Sequence, residues 1–397
     1  MDLSKQRIVF EVPFNSDNEL IRAYGEYKDR IAMVYGRAED GYPQGRKTNK
    51  APVITLENIF RQVETLRGWG IKFNYLLNGT SHGNREFDKK YRNDFVSHVR
   101  SLAANGVEVV TIGNPFLLEV VANEVPEIEL FASVLMEIDC LARLKEISKL
   151  GVRYVCLSKT LLKNFRALEN ISMHGNVNVE PVLLANDPCL HHCALTAYHN
   201  DTLSHLTGGG ASCDSYCRLH CTRSFASDRR QIVSASFIRP EDLRVYSGLG
   251  YSMFKLCDRK QTTPWIIRTL QSYVREYYDG NLAEIMAPWN RHEGTYDFPR
   301  ELKKADFESA DVSEFRDHLR FMPSIDNRSL DGYLDYWREQ KPNGCRDEDC
   351  DTCGHCAQVA AVALRGDPLK TRTVVRNIET ALAVSTSIES ESKGDEK

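Results

Sequence analysis

The residues Ser101–Ile112 read Ser-Leu-Ala-Ala-Asn-Gly-Val-Glu-Val-Val-Thr-Ile, which is the end of a helical pattern, the glycine Gly106 and a run of β-branched residues. The same order of helix, glycine and strand recurs around Gly70 and Gly151. A glycine directly after a helix is typical of the left-handed residue that ends it. The repeated phrase therefore predicts a chain in which helices and short buried strands alternate.

Working outward from this phrase, apolar runs predict eight strands: Arg7–Val12, Ile31–Tyr35, Ile71–Leu76, Val107–Ile112, Ile128–Ser133, Arg153–Leu157, Val177–Leu184 and Met253–Leu256. Apolar residues at three- and four-residue spacing predict the helices between them: Asp17–Tyr27, Leu56–Gly68, Lys89–Ala104, Pro115–Val121, Ile138–Leu150 and Leu161–Asn170. This alternation predicts an α/β fold, a (β/α)8 barrel of the TIM type, complete or incomplete. A doubly wound sheet is the competing architecture, but the sequence lacks the glycine-rich phosphate loop that is typical of it.

The 397 residues suit one large α/β domain with an appendage. We predict a barrel over residues 1–285 and a C-terminal wrapping extension over 286–384. The extension contains a cysteine-rich knuckle at 345–356 and helical patterns at Leu330–Gln340 and Ala357–Leu364. Residues 385–397 are rich in Ser, Glu and Lys, which predicts a disordered tail.

The net charge of −4 does not indicate nucleic acid or an anionic membrane as a general partner. No apolar stretch after a basic start resembles a secretory signal, and no run of 18 apolar residues predicts a membrane span. We therefore expect a cytoplasmic protein without a membrane partner. In a reducing compartment its 12 cysteines are not expected to form disulfides.

A first group of five cysteines falls between Cys189 and Cys221, from the end of the seventh predicted strand onward. Two C-x3-C pairs, Cys189 with Cys193 and Cys217 with Cys221, could supply the four thiolates of a [4Fe–4S] cluster. Zinc is the alternative for any four-cysteine group, but structural zinc usually takes C-x2-C pairs. The three-residue gaps therefore favour iron–sulfur here.

A second group consists of Cys345, Cys350, Cys353 and Cys356. Its C-x4-C-x2-C part matches a plant-type ferredoxin spacing, and four soft donors so close in sequence predict a compact metal knuckle. Zinc and a second iron–sulfur cluster both remain open for this site.

Several phrases occur in an order that resembles the peptidase U32 family. They include Ile112-Gly113-Asn114-Pro115, Cys217-x3-Cys221, Phe237-Ile238-Arg239-Pro240 and Phe254-Lys255-Leu256-Cys257-Asp258-Arg259. The resemblance spans about residues 7–278 and implies a (β/α)8-type barrel and, in several members, a [4Fe–4S] cluster. Members are implicated in oxygen-independent hydroxylation of RNA bases or quinone precursors, and others are called collagenase-like peptidases.

The resemblance also bears on the ligands and shows where this chain departs from the family. Cys217, Cys221 and Cys189 match positions where the family places ligands, and the fourth ligand is Cys193, with Cys213 or Cys257 as alternatives. Cys257 stands where the family phrase Lys-Ile-Glu-Gly-Arg has its glutamate. The C-terminal knuckle is not part of the family pattern.

Polar residues at strand ends predict where chemistry takes place. Lys255, Asp258 and Arg259 follow the last strand and Glu11 ends the first, so we expect all four at the catalytic mouth. Lysine and arginine there suit a small anionic substrate, and the resemblance implies a nucleobase-type substrate as well. We predict iron–sulfur-dependent redox or hydroxylation chemistry, with an electron donor or partner subunit.

Two other functions stay open. A peptidase would need an activated nucleophile or an open metal site, and the chain has neither an H-E-x-x-H pair nor a G-x-S-x-G elbow. A non-catalytic zinc or iron–sulfur scaffold would account for the knuckle but not for the polar groups at the barrel mouth.

Overall fold

Eight parallel strands form a closed barrel in which each strand pairs with its neighbours in chain order and the last pairs with the first. The computed structural model describes residues 7–45, 54–175, 178–209, 215–287, 323–366 and 368–386. The strands are β1 (Val9–Pro13), β2 (Ile31–Gly36), β3 (Lys72–Leu77), β4 (Val109–Ile112), β5 (Glu129–Ala132), β6 (Tyr154–Cys156), β7 (Glu180–Leu184) and β8 (Met253–Lys255). The predicted barrel is confirmed, and it is complete.

The first six helices alternate with the strands: α1 (Asn18–Tyr24), α2 (Leu56–Gly68), α3 (Lys89–Ala104), α4 (Pro115–Glu124), α5 (Leu141–Ser148) and α6 (Phe165–His174). Gly70, Gly106 and Gly151 have φ angles of +73°, +88° and +74°, so each supplies the left-handed residue that the sequence predicts. The predicted helix Leu161–Asn170 instead begins at Phe165, because the side chain of Asn164 accepts a hydrogen bond from the backbone of Ala167 and caps it.

Four helices lie between β7 and β8: α7 (Thr196–Thr207), α8 (Ser215–Ser227), α9 (Arg230–Ser234) and α10 (Leu243–Ser247). Helix α7 is tied to the loops that follow β2 and β3. The Thr207 hydroxyl accepts from the backbone N–H of Gln44 at 2.8 Å and lies 2.9 Å from its carbonyl oxygen, and the Thr80 hydroxyl donates to Asp201 at 2.7 Å. Helix α7 therefore lies across the carboxyl ends of β2 and β3.

The remaining elements follow β8. They are α11 (Thr263–Arg275), β9 (Ser324–Ile325), a helical turn at Tyr336–Gln340, α12 (Cys350–Cys353), α13 (His355–Ala363), β10 (Leu364–Arg365) and α14 (Pro368–Thr386). The predicted helix Ala357–Leu364 is thus present as α13. None of the described helices has both the length and the apolar character needed to cross a bilayer. Residues 288–322 of the predicted extension and 387–397 of the predicted tail lie outside the described part of the chain.

Residues 323–366 pack against the barrel through a buried arginine. Nε of Arg239 pairs with Asp242 at 2.8 Å. Its Nη1 donates to the carbonyl oxygen of Asn327 at 2.8 Å and to Asp331 at 3.0 Å. The Arg239 side chain is 2% exposed, so its charge depends on these partners. This cluster joins the loop before α10 to the C-terminal segment.

Replacing Arg239 should therefore destabilise the whole protein. Arg239→Met leaves Asp242 buried without its cation, and we expect the free energy of unfolding to fall by about 3–5 kcal/mol. The matched control is Arg338→Met, because the Arg338–Asp335 pair is about half exposed. That change should cost less than about 1 kcal/mol. Urea unfolding of both variants provides the comparison, and equal losses would contradict this role for Arg239.

Candidate functional site

A buried ion pair lies inside the barrel, where the first and last strands meet. Lys255 on β8 donates from Nζ to Oε1 of Glu11 on β1 at 2.8 Å, and the two residues are register partners. Asn74 on β3 donates to the same oxygen at 2.7 Å, and Thr111 on β4 donates to Asn74 at 2.8 Å. Four strands thus contribute to one polar network in an otherwise apolar interior.

Aromatic rings surround the ammonium group of Lys255. Its Nζ lies 4.1 Å from the centre of the Tyr35 ring and 5.3 Å from that of Phe131. The Tyr35 hydroxyl donates to the carbonyl oxygen of Leu256 at 3.0 Å, and burial raises the pKa of Tyr35 well above its usual value. The cation is therefore held by one carboxylate and two ring faces.

Glu11 lies within β1, not at its end, and its side chain is fully buried. Its second oxygen, Oε2, has no hydrogen-bond partner among the described residues. A buried carboxylate oxygen is costly to leave without a donor, so it is a natural contact for a substrate group or a water molecule.

Asp258 and Arg259 lie at the rim above this network. Asp258 accepts from the backbone N–H of Lys260 at 3.1 Å, and Arg259 lies 3.5 Å from the side-chain oxygen of Gln44. Asn186, which follows β7, accepts from the backbone of Cys257 at 2.6 Å and donates to its carbonyl oxygen at 2.8 Å. These two hydrogen bonds therefore join the chain that follows β7 to the chain that follows β8.

The structure brings Glu11 and Lys255 into direct contact and places Asp258 and Arg259 nearby on the chain. Sequence reasoning did not find Asn74, Tyr35, Thr111 or Asn186. The available signal was a polar residue inside an apolar strand, as Asn74 is in β3. Asn114, which follows β4, caps α4.

The first cysteine group is spread over two parts of the β7–β8 connection. Cys189 follows β7, and Cys193 accepts hydrogen bonds through its carbonyl oxygen from Thr196 at the start of α7. Cys217 and Cys221 are one helical turn apart on α8. Cys213 lies outside the described residues.

A charged contact distinguishes Cys189. The Lys159 ammonium lies 2.7 Å from its sulfur and 3.1 Å from Asp187. Lys159 therefore supplies a charged hydrogen-bond donor to this sulfur, of the kind that orients a cysteine ligand.

The donors of this group fit a [4Fe–4S] cluster in chemistry. All 11 described cysteines are free thiols, and four of them, in two C-x3-C pairs, lie in the connection that follows β7. Within the ranges that the structure covers, no three His, Cys, Asp or Glu side chains are arranged around one point as ligands of a single ion. The two C-x3-C pairs thus have the donor chemistry that such a cluster takes, and they lie in separate parts of the connection.

The second cysteine group receives hydrogen bonds at its sulfurs. The indole N–H of Trp337 donates to Sγ of Cys345 at 3.0 Å, and the Tyr336 hydroxyl lies 2.9 Å from Sγ of Cys353. Gly354, with φ of +68°, turns the chain between the last two cysteines. His355 stacks on Tyr336 at 3.7 Å between ring centres.

The two cysteine groups are neighbours in space. Arg230, the first residue of α9, forms an ion pair with Asp351 between Cys350 and Cys353. Burial lowers the pKa of His192, which lies between Cys189 and Cys193. Arg346 of the second group lowers this pKa further, and Asp347 raises it. The C-terminal cysteine segment therefore lies against the side of the barrel that carries the first group.

Comparisons with known proteins relate this chain to one family. An uncharacterized protease of Methanocaldococcus jannaschii is 26% identical over 355 residues, which cover 88% of this chain and 94% of that protein. The solved structure of the U32 peptidase Mk0906 is 15% identical with a TM-score of 0.48, over 64% of this chain and 94% of that one. The model of peptidase family U32 matches residues 32–263. Since this match spans more than half of the 397 residues, the chain belongs to peptidase family U32.

Proposed function

We propose that the chain is an iron–sulfur enzyme that carries out oxygen-independent redox chemistry, hydroxylation included, on a small anionic or nucleobase-type substrate at the barrel mouth. The observation that carries the proposal is the buried Glu11–Lys255 pair with its unpartnered carboxylate oxygen. Parallel barrels place their chemistry at the carboxyl ends of the strands, and Cys189 follows one of those ends. Such chemistry requires a source of electrons, either an electron carrier or a partner subunit.

The chain's own residues have distinct roles in this proposal. Glu11 accepts a proton or hydrogen bond from the substrate through Oε2, while Lys255 compensates its charge. Arg259 at the rim binds the anionic part of the substrate, because a guanidinium group matches a carboxylate or phosphate. Asp258 fixes the turn that presents Arg259. Asn74 and Tyr35 position the pair and do not carry charge themselves.

Cys189, Cys193, Cys217 and Cys221 would hold the [4Fe–4S] cluster, which when bound supplies one-electron transfer. Lys159 would donate a hydrogen bond to the sulfur of Cys189, which orients that ligand. Cys213 and Cys257 remain the alternatives for the fourth position.

Peptidase activity is the second candidate, because the Lys159–Cys189 contact is also what a cysteine nucleophile would need. The two functions differ in their need for metal. Cluster-free protein that hydrolyses peptides, and loses this activity in Cys189→Ser, would favour the peptidase and contradict our proposal.

The ligand set can be tested with serine substitutions. Serine keeps the size of cysteine but removes the soft donor. After anaerobic reconstitution with iron and sulfide, Cys189→Ser, Cys193→Ser and Cys217→Ser should each lose the dithionite-bleachable visible absorption of this site. Cys213→Ser should keep it, and Cys140→Ser, at an isolated cysteine, is the matched control. Loss in Cys213→Ser with retention in Cys193→Ser would reassign the fourth ligand, and colourless protein containing only zinc would refute the cluster.

The role of Arg259 can be tested by ligand binding. Nucleoside monophosphates and aromatic carboxylates serve as probes in isothermal titration calorimetry. Arg259→Ala should weaken the tightest of them by about 10- to 100-fold, since a hydrogen bond to a charged group is worth about 1.5–3 kcal/mol. Arg22→Ala, at an exposed position on α1, should bind like the wild type. Unchanged affinity in Arg259→Ala would place the anion site elsewhere.

The Glu11–Lys255 pair can be separated into structural and functional parts. Glu11→Gln and Lys255→Met should each lower the free energy of unfolding by about 3–5 kcal/mol, because each leaves a buried charge without its partner. The double variant should recover most of this stability, since both charges are gone. If the pair serves the reaction, activity on the identified substrate stays lost in the double variant. Activity that returns together with stability would show that the pair only closes the barrel.

A further inference from the structure

Lys163 is a buried cation that the proposed reaction does not use. The residue is 1% exposed, and its Nζ donates to the carbonyl oxygens of Val233 at 2.7 Å and Ala235 at 2.9 Å. Its other neighbours are aromatic faces, with the Trp337 ring centre at 4.7 Å and that of Phe237 at 5.4 Å. Neutral carbonyls and rings only partly replace the water that a charged ammonium loses on burial, so a nearby negative charge is expected.

The C-terminal cysteine segment is packed over this cation. Trp337, whose ring covers Lys163, also donates its indole N–H to Sγ of Cys345. Cys345 and Cys356 pack against the main hydrophobic core, and the Trp337 ring also contacts that of His355, next to Cys356, with ring centres 5.2 Å apart. Trp337 therefore links Lys163 to the parts of the segment that carry Cys345 and Cys356.

The sulfurs themselves are arranged as acceptors. Cys345 receives the Trp337 N–H, and Cys353 receives the backbone N–H of His355 in addition to its contact with the Tyr336 hydroxyl. Donors of this kind around sulfur are the outer-shell contacts that orient and stabilise metal-bound thiolates. Four cysteines within 12 residues supply the soft donors that zinc and iron–sulfur clusters share. Among the described residues no three ligating side chains surround one point, so loading has to draw these four sulfurs together.

We propose that Cys345, Cys350, Cys353 and Cys356 bind a metal–thiolate centre of net negative charge, and that Lys163 is its buried counter-ion. Four thiolates outweigh the charge of a zinc ion or of a cluster core, so the loaded centre is an anion in either case. Loading then docks the C-terminal segment onto the barrel. This centre lies outside the residues that the family model matches, and it is independent of the proposed function at the mouth.

Metal content of the full-length protein tests the site itself. Wild type and variants are purified anaerobically and then loaded either with zinc alone or with iron and sulfide. The Cys350→Ser/Cys353→Ser double variant should contain one metal centre fewer than the wild type. The first-group centre should remain, and Cys140→Ser should lose nothing. Loss of zinc alone identifies a zinc site, loss of iron with sulfide identifies a cluster, and either supports the proposal. Unchanged metal content in the double variant would overturn it.

The role of Lys163 is tested by the sign of its effect on thermal stability. In loaded protein Lys163→Met should lower the melting temperature by several degrees, because the anionic centre loses its counter-ion. In the Cys350→Ser/Cys353→Ser background the same change should leave the melting temperature unchanged or raise it, since a buried uncompensated charge is removed. Equal shifts in both backgrounds would show a packing role only and overturn the counter-ion assignment.

Limited proteolysis supplies a second measurement should Lys163→Met fold poorly. Metal loading of the wild type should protect the bonds around residues 341–350 from cleavage, and the combined cysteine variant should lose this protection. Cleavage that is insensitive to metal would contradict docking by the centre.

Discussion

The ion pair between Glu11 and Lys255 is the constraint on which the rest of the barrel depends. It joins the first and last strands at the seam that closes the sheet, and it lies in an interior that otherwise excludes water. A charged pair there is tolerable only with additional polar contacts. Asn74 provides a hydrogen bond and the Tyr35 ring a cation–π contact, from two other strands. The pair therefore fixes the register of the seam and the position of the unpartnered carboxylate oxygen together.

A second buried cation, Lys163, lies where the C-terminal segment meets the barrel. The two lysines differ in the source of their negative partner. Lys255 has a carboxylate on an adjacent strand, whereas Lys163 has carbonyl oxygens, aromatic rings and the sulfurs of a distant segment. The charge of Lys255 is balanced within the polypeptide. In our proposal the charge of Lys163 is balanced only when a metal is bound.

The sequence predicted the alternation of elements well and the site only in part. All eight strands and the helix-ending glycines Gly70, Gly106 and Gly151 follow from local pattern, because each depends on residues a few positions apart. Asn74 could not be assigned to the site from the sequence. Strand periodicity does not reveal which inward side chains of non-adjacent strands lie at the same height along the barrel axis. Lys163 looked like an ordinary helix residue, since its partners lie about 180 positions later in the chain. Spacing identified both cysteine groups as soft donors, but spacing alone does not show that the groups adjoin.

Helix α7 has a consequence for the loops at the carboxyl ends of β2 and β3. It lies across both ends and is held by Gln44, Thr80 and their partners on the helix. Hydrogen bonds of this kind contribute about 1 kcal/mol each, so the helix is anchored by several small contributions. Because one helix holds both loops, a displacement of either loop has to break a hydrogen bond to α7, and the two loops are therefore coupled through it.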